Sequence, residues 1–364
     1  MSIFTIVAGA RPNFMKIAPI IHAFQRLQKQ GINVHFRLVH TGQHYDRKMS
    51  GDFFDQLHIP EPDANLGGGG GTQAEQTAAI MIAFEKELME HRPDLVLVVG
   101  DVTSTLACSI AAKKLQIQVG HVEGGIRSGD LSMPEEINRL VTDSITDHFF
   151  TTSEIANANL RKVGVSEEKI HFVGNTMIDT LLTQMPNFRR PEGPLFENLS
   201  PGNYFVMTMH RPANVDQEQS LSAMIDAILE GTGGLPIFFP VHPRTAKNLQ
   251  NLGIQAPNLH LCEPLGYLEF NYLVKNAKGV ITDSGGVTEE TSVMNVPCVT
   301  LRNNTERAET IHLGTNELVG TDPKKLKPYL DKIMKGEWKQ YQGIPLWDGN
   351  TAERIVAILI ENYA

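Results

Sequence analysis

Leu95-Val-Leu-Val-Val99-Gly100-Asp101-Val-Thr-Ser-Thr105 sets five consecutive apolar residues against a glycine and an acid. A run that is apolar at every position reads as a central strand of a parallel sheet with helices on both faces. It delivers Asp101 to the carboxyl end of that strand, where open parallel sheets bind their ligands. Similar short runs lie on either side at Ile3–Ala8, Val34–Thr41, Gln118–Val122 and His148–Thr151. Amphipathic stretches of helical length such as Gln73–Glu90 fall between them, so the alternation predicts an α/β domain.

The pattern lapses between about Met185 and Gly202, where Pro186, Pro191, Pro194 and Pro201 cluster. This segment reads as a linker. The alternation restarts with Tyr204–Met209, Pro236–Val241, Leu259–Cys262, Val280–Asp283 and Cys298–Leu301. The expected organisation is an N-terminal α/β domain over 1–184, a linker over 185–202 and a second α/β domain over 203–350. A last helix over 351–364 is free in the sequence to pack on either half. The length of 364 residues suits two domains.

Apolar residues make up 41% and charged residues 20% of the chain, which excludes disordered and fibrous classes. The net charge of −9 and the lack of any Lys/Arg-rich run exclude nucleic acid as an expected partner. The first apolar run has no basic leader and ends at Gly9, and no apolar stretch is long enough to span a bilayer. A cytoplasmic protein with no membrane partner is expected. Cys108, Cys262 and Cys298 are odd in number, far apart and without a Cys-x-x-Cys, so free thiols are expected.

Several chemistries lack their motifs. No Gly-x-Gly-x-x-Gly follows a strand; the Gly67–Gly71 run comes after a polar loop and opens into Thr72-Gln-Ala-Glu75, either as a loop leading into a helix or as a flap over substrate. The dipeptide Gly-Lys occurs nowhere, which removes a P-loop. His121-Val-Glu123 has the His-x-Glu of zinc deaminases without their Pro-Cys-x-x-Cys, and neither Gly-x-Ser-x-Gly nor His-Glu-x-x-His is present. No metal and no cofactor is expected.

The motifs that are present gather after strands. Gly9-Ala-Arg11-Pro-Asn-Phe-Met-Lys16 brings a guanidinium and an ammonium to a helix start, either as a diphosphate cradle or as a solvated turn. Asp101 serves proton transfer or caps the helix after it. His121-Val-Glu123-Gly-Gly-Ile-Arg127-Ser-Gly-Asp130 is too densely charged for a surface turn. Ser132-Met-Pro-Glu135-Glu136-Ile-Asn-Arg139 fits a capping box, with Ser132 as N-cap and Glu135 reaching back. In the second half, Met209-His210-Arg211-Pro-Ala-Asn214 follows the first strand. Asp283-Ser284-Gly285-Gly286-Val-Thr-Glu289-Glu290 joins a strand, a glycine turn and a helix start, suited to phosphate, with Glu290 one turn in toward ribose hydroxyls. Arg302-Asn-Asn-Thr305-Glu306-Arg307 adds two guanidiniums.

Together these motifs resemble the non-hydrolysing UDP-N-acetylglucosamine 2-epimerases, in order and spacing, from Gly9 to about Gly320. That family repeats Gly-x-Arg-Pro-x-x-x-Lys, Gly-Asp-x-x-Ser/Thr-Thr, His-Val-Glu-x-Gly-x-Arg-Ser/Thr, Pro-Glu-Glu-x-Asn-Arg, Asp-Ser-Gly-Gly and Thr-Glu-Arg. The resemblance implies a glycosyltransferase-B-type fold, with two doubly wound Rossmann-like domains facing a cleft that closes on the nucleotide. By motif it places Arg11, Lys16, Asp101, Glu123, Glu135 and His210 along the sugar diphosphate. It places Ser284, Gly285, Gly286, Glu290 and Arg307 on the UDP. Phe270, in Leu265-Gly-Tyr-Leu-Glu-Phe270, falls near the uracil by resemblance and in the core by composition.

The implied chemistry is an isomerase reaction for polysaccharide precursors. UDP is eliminated to a 2-acetamidoglucal and re-added, with Asp101, Glu123 and Glu135 moving protons and His210 assisting the departing phosphate. A homodimer is the family's usual form. The chain departs from many bacterial members, which read His-Arg-Arg-Glu-Asn where it has His210-Arg211-Pro212-Ala213-Asn214. Activation by a second substrate molecule is therefore not among the expectations. Alternatives are a 2-epimerase of UDP-2,3-diacetamido-2,3-dideoxyglucuronic acid, a hydrolysing 2-epimerase, a UDP-sugar glycosyltransferase and a non-catalytic sensor.

Overall fold

In the computed structural model, which describes residues 2–43, 54, 56–215, 218–241, 246, 249, 253–254 and 256–363, the strands form two sheets. The first contains β1 (Ser2–Ala8), β2 (Val34–His40), β3 (Ala64–Asn65), β4 (Leu95–Val99), β5 (Gln118–Val122), β6 (His148–Thr151) and β7 (Ile170–Phe172), in the order β3-β2-β1-β4-β5-β6-β7. The second contains β8 (Phe205–Thr208), β9 (Ile237–Pro240), β10 (Leu259–Cys262), β11 (Gly279–Thr282), β12 (Cys298–Thr300) and β13 (Asn316–Leu318), in the order β10-β9-β8-β11-β12-β13. Every described pairing is parallel.

Both orders reverse direction next to their first strand. The chain builds outward from β1 to β3, returns to lay β4 on the other side of β1, and repeats the manoeuvre around β8 and β11. Connections on the two sides of such a point diverge, leaving a crevice above the carboxyl ends of the central strands. The loops after β1, β4 and β5, and those after β8 and β11, stand at these crevices.

Burial explains why β4 is central. Leu95 through Val99 are at most 2% exposed, and full burial of each such side chain contributes about 1.5–3 kcal/mol. Val96 and Val98 pack with Val7, Phe84, Leu88, Ala107 and Cys108. Around β8 and β11, Phe205, Met207, Ile281 and Val299 do the same. The strands β3, β7 and β13 have only two or three residues each, too few for the alternation to single them out.

The chain divides into two compact units, residues 1–183 with 345–364, and residues 184–344. The helix Thr351–Tyr363 thus belongs to the first unit, where Ser2 Oγ donates to the Tyr363 carbonyl at 2.6 Å. The segment 185–202, expected as a linker, falls within the second unit: it forms the short helical turns Met185–Asn187 and Pro194–Phe196 and buries Phe196 against Tyr204 and Phe238. Its prolines interrupt the periodicity, but Phe196 still gains from burial. Residues 345–350 join the first unit, where Trp347 Nε1 donates to the Thr152 carbonyl at 3.0 Å.

Two local expectations change. Asp101 caps no helix: the next one, Thr103–Lys114, has Val102 as its N-cap. The capping box expected at Ser132 and Glu135 does not form, because the helix Pro134–Ile145 starts on Pro134 and Ser132 Oγ instead donates to Asp130 at 2.6 Å. A capping box forms at Thr72, where the Glu75 amide donates to Thr72 Oγ1 at 3.2 Å and the Thr72 amide to Glu75 at 2.8 Å. The Gly67–Gly71 run leads into this helix, Gln73–Glu90.

Asp179, on the helix Thr176–Gln184, accepts the amides of Thr351 at 3.1 Å and Ala352 at 2.7 Å. Burial pushes its carboxyl up to about 6, outweighing those amide bonds. The folded chain then holds this proton more tightly than the unfolded chain, so the contribution of Asp179 to stability falls as pH rises from about 4 to about 6. Urea unfolding of Asp179→Asn across pH 4–7 should lack that decline; a curve parallel to that of the parent would show that Asp179 does not titrate there.

Candidate active site

In the first unit, the loops after β1, β4 and β5 converge. Asn13 accepts the amides of Gly9 and Ala10, both at 3.0 Å, and donates to the Val99 carbonyl at 3.2 Å, which ties the first loop to the end of β4. One turn further along the helix Arg11–Lys29, Lys16 Nζ lies 2.7 Å from Glu123 Oε2. Both side chains are nearly buried, at 11% and 3% exposed. Gly100 makes room for the pair: it has a φ of 70°, and a Cβ there would lie 3.1 Å from Lys16 Nζ and 3.8 Å from Glu123 Oε2. Glu123 itself has a φ of 72°, the left-handed region that costs a non-glycine residue about 1–3 kcal/mol and persists only where the surroundings impose it.

Asp101 Oδ2 pairs with Arg139 Nη2, and Arg139 Nη1 lies 2.7 Å from Glu136 Oε2. Glu136 also accepts the Ser128 and Gly129 amides at 2.9 and 3.0 Å. Burial pushes the Glu136 carboxyl up, but these amides and Arg139 more than reverse it and hold it below the ordinary range. Glu135, one residue earlier, is half-buried, and its side chain has no hydrogen bond or ion pair among the described residues. Arg11 opens its helix, and its side chain lies outside the described residues.

In the second unit, Asp283 follows β11 and is fully buried. Its carboxylate accepts the amides of His210 at 3.1 Å and Arg211 at 2.9 Å, the Asn214 side chain at 2.9 Å and His210 Nδ1 at 2.8 Å. Burial raises its affinity for a proton, and the bonds from His210, Arg211 and Asn214 outweigh burial, leaving the carboxyl below its usual range. A carboxylate facing Nδ1 assigns the proton to that nitrogen, and the His210 side chain, 56% exposed, presents Nε2 outward.

The helix Gly285–Val293 begins beside this pair. Ser284 is its N-cap and its hydroxyl makes no capping bond, so that side chain leaves the first amides at Gly285 and Gly286 unengaged. A Cβ on Gly285 would lie 2.9 Å from Glu306 Oε1. Glu306 lies 2.7 Å from Arg302, and Arg307 Nε lies 2.5 Å from Glu289 in a buried pair. Glu290 is 4% exposed and takes a 3.4 Å bond from Asn271; burial pushes its carboxyl up to about 7 against the bonds from Tyr267 and Asn271. Phe270 is half-buried against the cluster of Phe196, Tyr204 and Phe238.

The structure thus joins Lys16 and Glu123, sets Asp101 beside Arg139, and groups His210 with the Ser284–Gly286 turn through Asp283. Glu135 makes none of these bonds. His121, Glu136, Arg139, Asp143 and Asp283 escaped the reading of single residues although all lie in or near the motifs. The signal available for Asp283 was an acid at the end of an apolar strand, the same signal that marked Asp101.

Two doubly wound parallel units, each with charged groups gathered above the carboxyl ends of its central strands, define a protein of glycosyltransferase-B-type fold. The sequence profile of the UDP-N-acetylglucosamine 2-epimerase family matches residues 25–360. The chain is 41% identical to the UDP-N-acetylglucosamine 2-epimerase of Methanocaldococcus jannaschii, over 98% of each chain. It is 38% identical to the UDP-2,3-diacetamido-2,3-dideoxy-D-glucuronate 2-epimerase of Pseudomonas aeruginosa, over 88% of each. The M. jannaschii epimerase in complex with UDP-GlcNAc and UDP superposes with a TM-score of 0.87 over 99% of both chains, at 41% identity. The Neisseria meningitidis UDP-GlcNAc 2-epimerase bound to UDP-GlcNAc gives 0.86 over 100% of both, at 29% identity. The chain belongs to the UDP-N-acetylglucosamine 2-epimerase family and is an isomerase.

Replacing Asp283 with alanine would leave the donors of His210, Arg211 and Asn214 without their shared acceptor. Each hydrogen bond to a charged acceptor contributes about 1.5–3 kcal/mol. Asp283→Ala should unfold at lower urea, and nitrogen NMR of labelled histidine should show His210 no longer held in the Nδ1–H form. An unchanged tautomer would mean that another group orients the ring.

Proposed function

We propose that the chain interconverts UDP-N-acetylglucosamine and UDP-N-acetylmannosamine, supplying precursors for cell-surface polysaccharide. The observation that carries this reading is the cluster of Lys16, Glu123, Asp101 and Arg139 at the crevice of the first sheet. Inversion at C2, a carbon with no adjacent carbonyl, proceeds by elimination. A carboxylate takes the C2 proton, the C–H electrons form the C1–C2 double bond, and the C1–O bond breaks to release UDP. The 2-acetamidoglucal then regains UDP oxygen at C1 and a proton on the opposite face of C2. Asp101, Glu123 and Glu135 are the proton carriers in this reading, a task that contributes 10²–10⁴-fold.

UDP must leave without escaping. The open start of the helix Gly285–Val293 contributes about 0.3–1 kcal/mol toward an anion, and each charged hydrogen bond about 1.5–3 kcal/mol. Arg11, Lys16 and Arg307 are assigned to the diphosphate, with Ser284, Gly285 and Gly286. Glu290 is assigned to the ribose and Phe270 to the uracil. His210 meets the departing phosphate through the nitrogen turned away from Asp283. Relatives solved with UDP-GlcNAc and UDP bound support this substrate class. The P. aeruginosa relative favours a second reading in which the sugar is the diacetamido uronic acid.

The test is incubation with each UDP-sugar in heavy water, followed by NMR. Deuterium at C2, with both epimers still linked to UDP, is the expected result; free N-acetylmannosamine would identify a hydrolase, and unchanged sugars a transferase or sensor. Asp101→Asn and Glu123→Gln should each slow exchange by about 100-fold or more without loss of fold. A near-parental rate in either variant removes that residue from proton transfer.

We also infer a homodimer. Three neighbouring helices of the first unit support it: Gln73–Glu90 exposes Ile82 and Met89, Pro134–Ile145 exposes Ile137, Leu140 and Val141, and Thr103–Lys114 packs between them. Exposed apolar side chains gathered on neighbouring helices support an association surface. Sedimentation equilibrium should give the mass of two chains for the parent and of one chain for the Leu140→Glu, Val141→Glu double variant; equal masses would discard this face.

A further inference from the structure

The face of the helix Pro134–Ile145 opposite Leu140 and Val141 buries, besides Thr142, the polar side chains of Glu136, Asn138, Arg139 and Asp143, and these four reach out to neighbouring loops. Each grips a loop at the crevice of the first sheet. Glu136 holds the Ser128 and Gly129 amides, Asn138 donates to the Asp101 carbonyl at 2.8 Å, and Arg139 pairs with the Asp101 carboxylate. Asp143 acts on the loop that carries Glu123. Its Oδ1 lies 2.7 Å from His121 Nδ1, while its Oδ2 accepts the Gly125 amide at 3.0 Å and Arg127 Nη1 at 2.5 Å. His121 passes the connection on, with Nε2 at 2.8 Å from the carbonyl of Gly100, the residue before Asp101.

Asp143 therefore pins the chain two residues before and two residues after Glu123, and through His121 it also pins the turn that presents Asp101. Glu123 holds a left-handed backbone, which needs such a frame. The His121 and Asp143 side chains are 0% and 3% exposed, and taking a carboxylate and its partner out of water makes the pair a poor source of stability compared with apolar packing. Its geometric effect is specific: it fixes two carboxylate-bearing loops to one helix. Groups that exchange protons with opposite faces of one carbon must be held within about 0.5 Å of their productive geometry.

We propose that Asp143 and His121 are positioning residues for epimerisation, which together set Asp101 and Glu123 relative to each other without touching the substrate. This rests on the reading of Asp101 and Glu123 as proton carriers. Asp143→Asn, His121→Gln and the double variant would be compared with the parent in full-length protein. The measurements are kcat and KM for deuterium exchange at C2 of UDP-N-acetylglucosamine, UDP affinity by calorimetry, and fold by circular dichroism.

Each single variant should lose about 100-fold in kcat, the cost of a misplacement near 1 Å, with KM and UDP affinity held within about threefold. The double variant should fall no further than the worse single one, because residues acting as a unit are non-additive. A folded variant with parental kcat, a raised KM at constant kcat, or losses that multiply in the double variant would each overturn the proposal. If Asp143→Asn does not fold, Arg127→Lys touches the same carboxylate from a partly exposed position. A drop of about tenfold in kcat at constant KM would then support the frame, and parental kcat would overturn it. A parent that exchanges no deuterium at C2 sinks the epimerase reading and this proposal with it; an active parent with unaffected variants sinks only the positioning role.

Discussion

Lys16 and Glu123 meet under Gly100, and the arrangement of the first unit's site follows from how little space they have. Gly100, which joins β4 to Asp101, has a φ of 70°, a conformation that favours glycine, and a Cβ there would crowd the ammonium at 3.1 Å. The pair links the helix after β1 to the end of β5, across the end of β4. Three strand ends are thereby fixed around one ion pair. The backbone of Glu123 pays the cost of a left-handed conformation so that its carboxylate can turn toward Lys16.

Each unit also contains a histidine held by a buried aspartate, used in opposite ways. In the first, both ring nitrogens of His121 are engaged, by Asp143 and by the Gly100 carbonyl, and the side chain is fully buried. In the second, Asp283 holds one nitrogen of His210 while the exposed ring offers the other. The difference follows from position. His121 lies within β5 and must satisfy its polar atoms internally, whereas His210 follows the end of β8 at the crevice. The same pairing gives a strut in one unit and a presented nitrogen in the other.

The fold was legible where local chemistry agreed with tertiary need. The bounds of β4, β5, β6 and β10 coincide with the runs read from the sequence, and β4, buried at every position, leaves no alternative reading. The 185–202 segment was not legible as part of the second unit, because its prolines dominate its pattern while its contribution to packing comes from Phe196. At Ser132 the capping signature was present but idle: Pro134 and Asp130 settled the helix start, and Glu136 became the buried acid of the motif. Arg307, read as a cation at a rim, is buried against Glu289 four residues beyond Gly285.

The sequence by itself determined the strand ends, the glycines that let groups approach there and the set of charged residues delivered to each crevice, because these depend on the character and spacing of neighbouring residues. Only the tertiary structure decided which charges meet. Lys16 with Glu123, Asp101 with Arg139, His121 with Asp143 and His210 with Asp283 join residues on different elements. Such partners are chosen by the order in which parallel strands assemble around β1 and β8, and strand order follows from long-range packing that no local pattern records.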